Sequence, residues 1–86
     1  MVGSAREFLE FLEERDYRQG QSTICQDALS KELQVPVDLV GIWIEGLLEE
    51  GLVAASDNPT DRHNRFSGVG ISDKGMKHLR ESQARI

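Results

Sequence analysis

The side chains best able to do chemistry are few and poorly grouped. His63, His78 and Cys25 are the only imidazoles and the only thiol, and they show no metal-ligand spacing, so no metal and no cofactor are expected. Cys25 is followed by Gln26-Asp27, not by the electropositive neighbours that activate a thiol, and reads as a small core residue of a helix. A lone cysteine also forbids an internal disulfide. Serine, histidine and aspartate are all present, but no nucleophilic grouping emerges from their positions. The paired carboxylates Glu13-Glu14 and Glu49-Glu50 read as solvated helix faces, not as acid–base pairs. Gly68-Val69-Gly70 lacks the Lys-Ser/Thr and the strand–loop–helix setting of a phosphate loop. An enzyme is therefore not expected. The chemistry left is recognition through charge and apolar contact.

Charge is unevenly spread. Residues 1–61 hold thirteen acids against four bases, whereas residues 62–86 hold six bases against two acids, within a net charge of −5. An acidic body does not suit a general nucleic-acid binder. It leaves one basic stretch, Arg62, His63, Arg65, Lys74 and Lys77, as candidate DNA contacts. The 86 residues suffice for one small domain, 1–86, with a modest core, and 38% hydrophobic against 29% charged residues is ordinary for a globular chain. No apolar run approaches a membrane span and no basic segment precedes an apolar leader, so no membrane partner is expected and a cytoplasmic setting is the expectation.

The elements that would position these charges follow from periodicity. Ser4 with Glu7 is a capping-box pattern. Ala5, Phe8, Leu9 and Leu12 then form one stripe of a first helix, about Ala5 to Tyr17, with Phe11 beside it and partly exposed. Thr23 and Gln26 suggest a second capping box, opening a helix from Ile24 to Leu33 with Ile24, Ala28 and Leu29 inward. After Gln34-Val35, Pro36 suits the first turn of a third helix running to Glu50, and Gly51 suits its end. Val40, Trp43, Ile44 and Leu47 make its buried stripe. Leu52 to Ser56 and Arg65 to Ile71 read as two strands around a polar loop, and Ser72 caps a last helix to about Gln83.

Helix, helix, helix, strand, loop, strand, helix is the order of a winged helix, an α+β fold with a three-helix helix-turn-helix core, a two-stranded wing hairpin and a C-terminal helix. Leu29 to Val53 resembles, without gaps, the helix-turn-helix of MarR-type winged-helix transcriptional regulators. Asp57-Asn58-Pro59-Thr60-Asp61-Arg62 is similar to that family's Asp-x-Pro-x-Asp-Arg wing, and Ile71-Ser72-Asp73-Lys74-Gly75 to its Leu-Thr-Glu-Lys-Gly helix opening. The resemblance implies regulation of transcription through DNA binding, with the second helix of the motif in the major groove. The family also dimerises through helices at both ends of a longer chain. This chain is too short to hold them, so the small-molecule pocket they frame is not expected, and no small-molecule ligand with it.

The groove-facing positions depart from that pattern. They are Val37, Asp38, Leu39, Gly41, Ile42, Glu45 and Gly46, where the family places Ser, Thr, Arg or Gln. Base edges and phosphates are read chiefly by Arg, Lys, Asn and Gln, and none of these lies between Pro36 and Leu52. Gly41 and Gly46 each cost about 1 kcal/mol relative to alanine inside a helix. Either close packing within the chain or close approach of another chain would offset that. Two functions stand. One is a regulatory module that docks a protein partner, or its own copy, through Asp38, Leu39, Gly41, Ile42, Glu45 and Gly46. The other is a regulator that contacts duplex DNA mainly through the basic wing and last helix. For the wing the alternative role is internal, with Asp57 or Asp61 pairing with Arg62 or Arg65 to shape the loop.

Overall fold

The computed structural model describes residues 3–19, 23–58, 60–61 and 64–83. Helix α1 (Ala5–Gln19) opens where Ser4 Oγ accepts the Glu7 N–H at 3.3 Å, as the capping pattern requires, and continues past the expected end at Tyr17. Its stripe of Phe8, Leu9 and Leu12 is fully buried, while Phe11 is half-buried against the same core.

Helix α2 (Gln26–Leu33) starts two residues later than periodicity suggests. Ile24 is extended instead: its N–H and carbonyl pair with Val69 at 3.1 and 2.8 Å in an isolated antiparallel bridge. This bridge competes with helix initiation and wins, which leaves Cys25 as the N-cap with no side-chain cap bond. The expected Thr23–Gln26 capping box does not form, and Cys25 is a half-buried cap, not a core residue. The cap comes from far along the chain, where Asn64 Oδ1 accepts the Asp27 N–H at 3.2 Å. Gln34 closes α2 in the left-handed conformation, φ 57°, and Val35 N–H returns to Ser30 O at 3.1 Å.

Helix α3 (Val37–Glu49) follows at once. Pro36 is its N-cap, one position before the first helical residue, and its carbonyl accepts the N–H groups of Leu39 and Val40. Gly51, at φ 73°, ends the helix in a Schellman arrangement: Gly51 N–H reaches Leu48 O at 3.0 Å and Leu52 N–H reaches Leu47 O at 2.9 Å. The predicted stripe of Val40, Trp43, Ile44 and Leu47 is buried, with the Trp43 ring 5.6 Å from that of Phe8.

Strands β1 (Val53–Asp57) and β2 (Phe66–Ile71) form an antiparallel hairpin from Val53↔Ile71 at the base to Asp57↔Phe66 toward the tip. A bulge interrupts the register between Ala54 and Ser56. With the Ile24 bridge, β2 lies between residue 24 and β1. Helix α4 (Asp73–Gln83) is capped by Ser72, whose Oγ accepts the Gly75 N–H at 3.0 Å and donates to Gly51 O at 2.7 Å. A Cβ at Gly75 would run into the Leu52 carbonyl, so glycine lets α4 seat against the α3–β1 junction. The architecture is α+β, four helices and one hairpin, and α4 closes the core through Leu79. Among the described residues, no helix is long and apolar enough to cross a membrane.

Candidate functional site

At about 100° per residue, Asp38, Ile42 and Glu45 fall on one narrow stripe of α3, opposite Val40, Trp43 and Leu47. The structure shows this division directly. Ile42 is 63% exposed and Leu39 37%, both Asp38 and Glu45 face solvent, and Gly46 has open space where a side chain would stand. Val37, at the first turn, is half-buried. The outward face of the second helix of the motif is thus an isoleucine between two carboxylates, with Leu39 and Gly46 on one flank.

Gly41 lies on the other flank, and its reason is internal. A Cβ there would stand 2.7 Å from Gln26 Nε2. Gln26 is 2% exposed, and its amide joins three elements: Nε2 donates to Val37 O at 2.8 Å in α3, and Oε1 accepts the Phe66 N–H at 3.2 Å in β2. Those two partners also fix which end of the amide is nitrogen. The expectation that Gly41 invites another chain is therefore corrected, because the space it frees is filled by Gln26 from α2. Gly46 keeps its open side. Sequence reasoning missed Gln26 because its partners lie 11 and 40 residues away.

Between α3 and β2 is a shallow depression of about 150 Å³, lined by Gln26, Asp38, Gly41, Ile42, Glu45, Arg65 and Phe66. Arg65 forms its wing side. Its Nε and Nη2 donate to Asp57 at 3.0 and 3.4 Å, its Nη1 stands 3.6 Å from Glu45 Oε2, and the guanidinium lies over the Phe66 ring, 4.9 Å from the centroid. Hydrogen bonding to Asp57, and then the charges of Asp57 and Glu45, hold Arg65 above its ordinary pKa. The internal wing pairing with Asp57 exists, and Arg65, which lines the depression, is already engaged by two acids.

Among the described residues, the candidate DNA contacts Lys74 and Lys77 are not gathered beside it. Lys74 and Lys77 are exposed on α4, beyond the base of the hairpin, whereas Arg65 is near its tip. A five-residue strand separates those ends, roughly 15 Å at 3.3 Å per residue. Lys74 bends toward the end of α3, its Nζ 3.7 Å from where a Gly51 Cβ would be. A cation there complements the negative end of the α3 dipole, which has no base of its own in its last turn. Arg62 and His63 lie outside the described residues, as does Pro59 of the wing motif. Among the described loop residues, Asn58 N–H reaches Arg65 O at 2.6 Å and Asn64 N–H reaches Asp61 Oδ1 at 3.1 Å.

No protein-family model and no curated protein matches the sequence. Among solved structures, a MarR transcriptional regulator from Methanosarcina mazei Go1 superposes with a TM-score of 0.62 at 29% identity over 96% of this chain. The chain spans 55% of that protein's length. The capped helix-turn-helix, the two-stranded wing, the closing helix and this likeness agree: the chain is a winged helix-turn-helix domain resembling those of the MarR-type transcriptional regulators.

Proposed function

We propose that this domain is a non-enzymatic regulatory module that docks a protein through the outward face of α3, where its structural relatives would carry a reading head for DNA. The observation that supports it is Ile42, a large aliphatic side chain 63% exposed between Asp38 and Glu45 on a helix with no Lys or Arg. Two carboxylates brought to phosphate spacing would each cost on the order of 1 kcal/mol or more. An exposed aliphatic beside an uncovered glycine gains from contact with another apolar surface.

The test pairs wild type with Ile42→Arg, checked by circular dichroism and followed by light scattering and pull-down from source-cell extract. The substitution is expected to leave the fold intact, because no core contact is lost, and to release the associated protein. An Ile42→Arg chain that keeps every association of the wild type would overturn the reading.

A second reading keeps DNA as the partner, contacted through the basic stretch that begins at Arg62. It is favoured by the likeness to a transcriptional regulator and by the excess of bases in residues 62–86. Binding of that kind would weaken on Arg62→Ala with Arg65→Ala, and the slope of log K against log salt would flatten by up to about two units, one per lost phosphate contact.

A further inference from the structure

Building on the docking reading, we propose that the occupant of the α3 face is a basic amphipathic helix, one that sets an aliphatic side chain on Ile42 between two arginines or lysines paired with Asp38 and Glu45. The proposal names the partner's chemistry. Asp38, Ile42 and Glu45 stand at i, i+4 and i+7, so the two carboxylates are about 10 Å apart along the axis with the aliphatic group between them. A partner helix with basic, aliphatic and basic residues at the same spacing meets all three at once. Gly46, with nothing within 4 Å of its missing side chain, removes the obstacle to close approach on one flank.

Charge complementarity points the same way. The helix and its C-cap present Asp38, Glu45, Glu49 and Glu50 and no base, within a stretch rich in acids. The rim already holds one guanidinium: Arg65 stands 3.6 Å from Glu45 while keeping two bonds to Asp57. An incoming arginine can therefore take Glu45 from Arg65 without stripping Arg65 of its main partner. The internal contact behaves as a stand-in for the partner, and Arg65 as its competitor.

A second copy of this chain fits less well. Its basic helix is α4, where Lys74, Lys77 and Arg80 are exposed but Leu79 is buried in the core and Met76 is half-buried. It offers charge without an exposed aliphatic group between the bases. Rim charges set encounter rate and partner choice, whereas the apolar centre carries most of the affinity.

The experiment uses the full chain and three synthetic helices of roughly 18 residues, five turns at 3.6 residues each. One carries Arg, Leu and Arg at i, i+4 and i+7. A second has the same composition in scrambled spacing, and a third has Glu in place of Arg. Binding is followed by fluorescence anisotropy, with amide NMR shifts of Gly41, Ile42 and Gly46 to locate it. The matched helix is expected to bind in the range of about 10–100 µM, and about tenfold or more weaker to Ile42→Arg and to Asp38→Lys with Glu45→Lys. Binding should weaken with salt, and Arg65→Gln should strengthen it by freeing Glu45. Equal binding of matched and scrambled helices, or no binding of either, overturns the proposed chemistry. In that case the docking reading still stands if Ile42→Arg releases the protein retained by wild type. A wild-type dimer that Ile42→Arg dissolves would replace the basic helix with a second copy and so overturn the proposal.

Discussion

Gln26 and Gly41 form a matched pair: a buried amide that bridges α3 and β2, and a helix position left bare so that it can reach them. Alanine at 41 gains about 1 kcal/mol of helix propensity but displaces an amide whose loss leaves buried groups unpaired, at about 1–3 kcal/mol. Gly41→Ala alone should thus be neutral to destabilising. In a Gln26→Ala background, which is itself destabilised, the same change should stabilise by about 1 kcal/mol, a sign reversal that a double-mutant cycle in urea reads directly. Additive effects would show that the amide does not occupy this space. Asn64 belongs to the same scale. Asn64→Ala removes the acceptor for the Asp27 N–H and should cost about 1 kcal/mol, as loss of a local N-cap does, although it lies 37 residues away. None of these pairings was legible in the sequence, because propensity and periodicity see neighbours along the chain. By local pattern alone, Thr23 and Cys25 suit a helix start. The stretch instead obeys Val69, far along the chain.

The elements, by contrast, were largely written locally. Val40, Trp43, Ile44 and Leu47 lie on one side of α3 because their spacing matches the helical repeat, and Ser4, Ser72 and Gly51 act at helix ends through bonds to residues within a few positions. The same spacing made the outward face legible, Ile42 and Leu39 included. Trp43→Ala should destabilise by roughly 3–5 kcal/mol, since the ring is buried against Phe8. Chemical denaturation would measure it, and a loss well under that range would mean that the core closes over the gap. What periodicity could not show is how the face is framed. Gly41 turns toward Gln26 instead of outward, and Arg65 reaches Glu45 across 20 positions, so the depression between α3 and the wing appears only in three dimensions.

For the whole molecule, the charge division of the sequence survives folding only in part, because Arg65 is neutralised beside α3 and Lys74 is drawn toward Gly51. Reversing Asp38 and Glu45 to Lys should therefore raise nonspecific duplex binding and steepen its salt dependence, by supplying cations where the chain now has acids. A salt-resolved titration that shows no change would mean that this face never approaches the duplex. The hairpin carries another whole-molecule consequence. Ile24 shields one side of β2, so among the described strands the outer side of β1 is the edge without a partner, while the pairing between the two strands slips from Ala54↔Gly70 to Ser56↔Ser67, with the extra residue on β2. An edge strand of only five residues, paired to a bulged neighbour, is a poor template for intermolecular strand addition. Fibrillar aggregation through this edge is therefore expected to be disfavoured.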